Sequence, residues 1–97
     1  MKPSEVLEQN REAIRALTIR YKAANPRVFG SVARGEDGPD SDLDILVEAL
    51  PSATLLDLGG LQDHLAQLLH PTEIHLLTET EVRSEFRSRV LSEAKPI

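Results

Sequence analysis

The stretch FGSVARGEDGPDSDLDILVE, residues 29–48, holds the main structural signals of this chain. A short apolar run ends at Gly30, a polar loop follows, and the sequence SDLD at residues 41–44 leads into aliphatic residues. Because the apolar residues of the last run occupy both parities, they predict a strand that is buried on both faces. Two carboxylates therefore stand where this strand begins, and side chains two residues apart on a strand point to the same side.

The two carboxylates, Asp42 and Asp44, are candidate ligands of a hard cation. Mg²⁺ is commonly bound by one or two carboxylates together with phosphate oxygens and water. An Asp-x-Asp pair alone is more often the exposed start of a strand, so the upstream residues decide its interpretation. Gly30 and Ser31 open a helical turn, where free backbone N–H groups and a hydroxyl can bind a phosphate. Arg34 faces the same side of that turn, and its guanidinium can support the phosphate or the neighbouring loop.

Each of these residues also has a purely structural interpretation. Gly30 can be a simple turn residue, Ser31 and Ser41 can be caps, and Arg34 can pair with the acidic residues that follow it. The combination favours a functional site. Phosphate donors and metal-binding carboxylates in this order and spacing are the components of phosphoryl or nucleotidyl transfer.

Length and composition limit the remaining possibilities. The 97 residues predict a single domain, residues 1–97, with the ordinary apolar and charged content of a soluble globular protein. No cysteine is present, which excludes disulfides and thiolate metal sites. A net charge of −5 and only three aromatic residues argue against direct nucleic-acid binding. No apolar run approaches the roughly 18 residues of a membrane span, so we expect a cytoplasmic protein without membrane contact.

Helices and strands alternate along the chain in the predicted order. Apolar residues at helical spacing, together with Pro26 and Pro71 as helix ends, predict helices at about residues 4–24, 54–70 and from 79 onward. Strands are predicted at residues 27–29, 43–48 and 73–77, and a short helical turn at 31–36. The expected fold class is α+β, with a small mixed sheet of about three strands flanked by helices.

The opening stretch resembles the signature of the polymerase-beta-like nucleotidyltransferase superfamily. That signature is Gly-Ser, a short spacer, Arg-Gly, a loop, and then Ser-Asp-x-Asp before an apolar strand. It stands here as GSVARG at residues 30–35 and SDLDILV at residues 41–47. With its short length and leading helix, the chain is similar to the minimal nucleotidyltransferases, which are usually paired with a helical HEPN-domain protein. The resemblance spans nearly the whole chain and implies a nucleotidyltransferase-like fold.

The resemblance also implies a set of site residues and a function. The residues that would contact or shape the nucleotide site are Gly30, Ser31, Arg34 and Ser41. The ligands of a divalent metal, Mg²⁺ or Mn²⁺, would be Asp42 and Asp44. In the paired systems the minimal nucleotidyltransferase is an antitoxin, and some members transfer AMP from ATP to a tyrosine of the HEPN toxin. Others neutralise the toxin mainly by binding it.

One position departs from the family pattern. The family's third carboxylate usually lies in a strand of the type Val-Asp-Leu-Val-Thr, and the matching stretch here is IHLLT at residues 74–78, with His75 in place of the Asp. Three interpretations stay open: His75 is a base or a ligand of a transition metal, Glu73 takes over the carboxylate role, or the site has lost its full set. The sequence therefore leaves both an active transferase and a catalytically weak or inactive binding module open.

Overall fold

The computed structural model describes residues 1–97 as helices packed on a four-stranded sheet. The helices are α1 (Pro3–Arg20), α2 (Gly30–Arg34), α3 (Leu55–Leu69) and α4 (Ser84–Glu93). The strands are β1 (Ala23–Phe29), β2 (Leu43–Ala49), β3 (Ile74–Thr78) and β4 (Lys95–Pro96). The sheet order is β3-β2-β1-β4; β2 and β3 are parallel, and β1 is antiparallel to β2 and β4.

This architecture confirms the predicted α+β class and mixed sheet and adds a fourth strand. The added strand, β4, has only two residues, Lys95 and Pro96. Two residues are too few to carry a periodic pattern, so this strand could not be predicted from the sequence. None of the helices combines the length and apolarity needed to cross a membrane.

Strand β2 is the centre of the core, as its apolar residues on both parities predicted. Leu43, Ile45, Leu46 and Val47 are fully buried. Leu43, Ile45 and Val47 belong to the core cluster, to which α1 and α3 also contribute. Leu46 points to the opposite face of the sheet, on the side where α4 contacts β1. Each such side chain stabilises the fold by about 1.5–3 kcal/mol, which holds the strand that carries Asp44 in place.

The connection between α1 and β1 differs from the prediction. Helix α1 ends at Arg20 rather than near residue 24, because Lys22 adopts a left-handed conformation with φ 60°. Strand β1 then begins at Ala23 and continues past Pro26, where its register with β2 shifts. Proline is tolerated at such a bulge. The proline therefore lies inside the strand and does not mark the end of the helix.

The helix predicted from residue 79 onward is divided in two. Thr78 and Glu81 form the predicted capping box, with the Thr78 backbone N–H donating to Glu81 Oε1 at 2.8 Å. This box closes only a single 3-10 turn, Glu79–Glu81, and α4 begins later at Ser84. Val82 lies between them and is buried. Burial of this apolar side chain accompanies an extended backbone at Val82, which interrupts the helix.

Candidate active site

Parallel pairing of β2 and β3 brings together the residues predicted to be catalytic. Asp44 and His75 are register partners on these strands, and Asp42 lies just before β2 on the same side as Asp44. His75 Nε2 lies 3.0 Å from Asp42 Oδ2. Asp42 and His75 are about half-exposed, so the cluster faces solvent at the start of the two strands.

The electrostatic environment of Asp44 disfavours its charged form. Burial raises the pKa of the Asp44 carboxyl; the nearby His75 and Arg34 lower it and Asp42 raises it, and the net direction is upward. Burial has this effect because a carboxylate loses hydration energy when water is removed. A cation bound at Asp42 and Asp44 would stabilise the charged form of both carboxylates.

Gly30 lies directly against the Asp44 carboxylate. Its φ is +70°, a conformation that L side chains rarely adopt, and a Cβ at this position would collide with Asp44 Oδ2. From the sequence, Gly30 was expected to belong to a turn that binds a phosphate. The structure shows a second reason for glycine at this position: the Asp44 carboxylate occupies the space that a Cβ would need.

The two serines of the motif occupy different parts of the site. Ser31 lies in the first turn of α2, directly after Gly30, and its backbone carbonyl accepts from Glu36 N at 2.9 Å. Ser41 Oγ accepts a hydrogen bond from Gly38 N at 2.9 Å and so closes the polar loop before Asp42. Ser41 is therefore a loop-shaping residue in this structure, and its hydroxyl still has a proton to donate.

Arg34 is held by two carboxylates. Its Nη1 lies 3.2 Å from Glu93 Oε2 at the end of α4, and its Nε lies 3.4 Å from Glu36 Oε2. The Glu36 pair is the kind of surface pairing that the structural interpretation anticipated. Arg34 nevertheless lies close enough to Asp44 for its charge to lower the pKa of that carboxyl, so it belongs to the electrostatic surroundings of the site.

Asp37 anchors the polar loop, and the sequence analysis missed this role. Its Oδ2 accepts a hydrogen bond from Ser4 N, at 2.9 Å, in the first turn of α1. A carboxylate in this position satisfies a helix N–H group that has no partner within the helix. The contact joins residues 33 positions apart, and no local pattern reports such a contact.

Glu73, the alternative to His75, lies just before β3 and is exposed. Its backbone carbonyl accepts from Leu43 N at 2.8 Å, whereas the side chain that contacts Asp42 is that of His75. No group of three His, Cys, Asp or Glu side chains is arranged to hold a metal ion. Asp42 and Asp44 provide two carboxylates, a number that suits Mg²⁺ bound together with substrate phosphates.

Comparisons with known proteins agree on the family. A family model described as a nucleotidyltransferase domain matches residues 10–97. A Methanocaldococcus jannaschii protein named "Putative protein adenylyltransferase" is 31% identical, over 93% of this chain and 91% of the relative. The Thermococcus cleftensis protein named "Protein adenylyltransferase MntA" is 35% identical, over 79% of this chain and 77% of the relative.

Solved structures show the same fold. One described as a "putative minimal nucleotidyltransferase" superposes with a TM-score of 0.84 at 42% identity, covering 97% of this chain and 95% of its own. A toxin–antitoxin structure with AMP-PNP superposes with a TM-score of 0.73 at 24% identity, over 90% of this chain and 71% of its own. At that identity the second likeness shows the fold alone.

Proposed function

The chain belongs to the family of nucleotidyltransferase domains, and from that premise we propose that it transfers AMP from ATP to a hydroxyl of a partner protein. The partner would be a HEPN-type toxin, and this chain its antitoxin. The observation that carries the proposal is the meeting of Asp42, Asp44 and His75 beside the Gly30 turn. Relatives named as protein adenylyltransferases support the reaction class, and a toxin–antitoxin structure that shares the fold supports the biological context.

The nucleotide would lie across the Gly30 turn. Gly30 and Ser31 would bind its phosphates through backbone N–H groups and the Ser31 hydroxyl. Arg34 would add positive charge, and Ser41 would keep the loop folded so that Asp42 faces the phosphates. In this arrangement catalysis comes mainly from positioning and electrostatic stabilisation.

The donor set fits a divalent metal. Asp42 and Asp44 would hold Mg²⁺ or Mn²⁺, and the remaining ligands would be phosphate oxygens and water. When bound, the metal supplies charge neutralisation for the phosphates. It would also favour the charged form of Asp44, whose pKa burial raises.

The reaction forms one bond and breaks one at the α-phosphorus, and one proton is transferred. The acceptor hydroxyl oxygen bonds to the α-phosphorus of ATP, the bond from that phosphorus to the bridging oxygen breaks, and pyrophosphate leaves. We assign the hydroxyl proton to the His75 imidazole, acting as a general base. The 3.0 Å contact between His75 Nε2 and Asp42 Oδ2 would orient the ring. We also propose a cytoplasmic location, which a reaction between ATP and a partner protein supports.

A second function is a binding module that neutralises the toxin by forming a complex without chemistry. His75 favours this alternative, because it stands where the family pattern has a third carboxylate, and an imidazole is a poor Mg²⁺ ligand. Such a module would retain the fold and a nucleotide site and would lose only the transfer step. Both functions treat residues 1–97 as one domain.

The test uses ATP labelled at the α-phosphate. The purified protein is incubated with this ATP and a lysate of its native host, with Mg²⁺ and separately with Mn²⁺. The variants are Asp44→Asn, the double variant Asp42→Asn/Asp44→Asn, and the matched control Asp63→Asn, which changes an exposed carboxylate on α3.

The outcomes separate the two functions. A labelled protein band that disappears in the site variants but not in Asp63→Asn supports the transferase. Label that persists in Asp44→Asn would refute the metal-site assignment. A folded protein that transfers no label with either metal supports the binding module.

A further inference from the structure

A groove of about 650 Å³ lies between the first half of α3 and the ends of β2 and β3. We call it the α3–β3 groove. It is at the opposite end of these strands from Asp42 and Asp44. Leu55, Leu58 and Leu76 contribute its apolar lining. Leu55 and the adjacent Leu56 are each 88% exposed. Single exposed leucines are ordinary, but two bulky ones beside an apolar groove are typical of an interaction site.

The edge of β3 beside the groove is already closed. β3 is the last strand of the sheet on this side, so its outward backbone groups have no strand partner. The Gln62 side chain replaces that partner: its Nε2 donates to Ile74 O, and its Oε1 accepts from Leu76 N, both at 3.0 Å. Glu81 accepts from Thr78 N at 2.8 Å. An extended peptide would have to displace both side chains, so the groove suits a helix better than an added strand.

The polar residues of the groove give it a negative charge. Glu48, Glu79 and Glu81 line it, and no Lys or Arg does. Glu79 is paired with Arg27 at 3.2 Å, and the Arg27 side chain is only 12% exposed. Glu48 and Glu81 form no ion pair and therefore keep their negative charge available to an occupant. Charge complementarity therefore favours an occupant that carries Lys or Arg beside its apolar face.

We propose that the α3–β3 groove binds an amphipathic helix of a partner protein, with apolar anchors flanked by Lys or Arg. Leucine-sized anchors would fill the space over Leu58 and Leu76, and the cations would meet Glu48 and Glu81. This inference deepens the proposed function, because the same partner would be the protein acceptor. Only the statement that the docked protein is also the acceptor of AMP rests on the proposed function. Docking in the groove itself needs neither ATP nor metal.

The test titrates the isotope-labelled protein with a synthetic helical peptide that carries leucines on one face and lysines beside them. A comparison peptide has each lysine replaced by glutamate. Backbone amide shifts give the binding surface and the affinity. Leu55→Ser removes an exposed groove side chain, and Ile19→Ser is the matched control, because Ile19 is 74% exposed on α1 and lies outside the groove. Both changes are at exposed positions and leave the core intact.

The expected result is a set of shift changes confined to residues 47–49, 55–62 and 76–81. Leu55→Ser should weaken binding of the lysine peptide at least about tenfold, as loss of a buried leucine contact predicts. Ile19→Ser should leave it unchanged, and the glutamate peptide should bind more weakly. Equal weakening by both variants, equal binding of both peptides, or no shift at the groove would overturn the proposal.

Self-association is the remaining outcome. Sedimentation of the protein alone shows whether it dimerises. If Leu55→Ser converts a dimer into a monomer and Ile19→Ser does not, the occupant is a second copy of this chain and the proposal is wrong. None of these measurements contains ATP or metal, so their failure leaves the transfer assay unaffected. Failure of the transfer assay likewise leaves the peptide titration interpretable.

Discussion

Replacement of Gly30 by alanine should damage the candidate site far more than the same change at Gly35. The two glycines have the same φ of +70°, and they lie at the two ends of α2, as its first residue and as its C-cap. They differ in their surroundings. A Cβ at Gly30 would collide with the Asp44 carboxylate, whereas a Cβ at Gly35 would meet nothing within 4 Å. Gly35→Ala is therefore a control for backbone strain alone.

The magnitude follows from two contributions. An alanine in the left-handed region costs about 1–2 kcal/mol at either position, and reduced freedom of the unfolded chain returns about 0.4–1 kcal/mol. Overpacking against Asp44 adds about 1–3 kcal/mol at Gly30 only. The free energy of unfolding should therefore fall about 1–3 kcal/mol further in Gly30→Ala than in Gly35→Ala. Its Tm should be lower than that of Gly35→Ala by at least about 4 °C.

The assay combines urea unfolding with calorimetric titration of ATP in the presence of Mn²⁺. Gly30→Ala should lose nucleotide binding because Asp44 is displaced, while Gly35→Ala should retain it. In the background Asp44→Ala, where the carboxylate is absent, Gly30→Ala should cost no more stability than Gly35→Ala. Equal destabilisation of the two single variants would refute the claim that Gly30 makes room for Asp44. An unchanged cost in the Asp44→Ala background would do the same.

Three further predictions concern α3, the polar loop and the third site position. Gly60→Ala should lower the free energy of unfolding by about 1–2 kcal/mol, because its Cβ would lie 2.7 Å from the Tyr21 ring. Gly59→Ala should raise the free energy of unfolding by up to about 1 kcal/mol, because alanine favours a helix and its Cβ would meet nothing within 4 Å. Urea unfolding of the two variants measures both changes. Asp37→Ala should destabilise the protein at pH 7. Burial would raise the pKa of the Asp37 carboxyl, but the hydrogen bonds from Ser4 and from its own backbone N–H, together with the charge of Lys2, lower it. The Asp37 carboxylate therefore stabilises the fold fully at pH values above its ordinary pKa of 3.8, and this stabilisation is lost as the pH falls through its lower pKa in the folded state. The Tm values of Asp37→Ala and of the unchanged protein should consequently converge at acid pH. His75→Asp should lower label transfer because it removes the base that we assign to His75, and a higher Mg²⁺-dependent rate would show instead that a missing carboxylate limits the reaction.

The local part of the site could be predicted from the sequence because its geometry is set by strand alternation. Asp42, which directly precedes β2, and Asp44, within it, both lie beside His75, and the double-sided burial of β2 is confirmed. The family pattern identified His75 as the third site position but did not predict its partner on β2; in the structure, the parallel register of β2 and β3 puts it opposite Asp44. The roles of these residues in binding and catalysis stay predictions.

The remaining features depend on contacts between distant parts of the chain. Asp37 reaches Ser4 across 33 positions, and Gln62 bonds to the edge of a strand 12 and 14 residues later. Neither residue type, in its own sequence window, indicates such a partner. The bulge at Pro26 was missed for a related reason. Proline before a short apolar run ordinarily marks the end of a helix, and only pairing with β2 makes it part of a strand.

The positions of the site and the groove suggest how a domain of 97 residues can combine chemistry with recognition. The carboxylates lie at the start of β2, and the α3–β3 groove lies at its end. Between them run Ile45, Leu46 and Val47, which are fully buried and therefore hold both ends at a fixed separation. A helix docked in the groove would present its protein at a defined distance from Asp44. Changes on the groove surface, such as Leu55→Ser, should consequently alter acceptor binding and leave nucleotide binding unchanged.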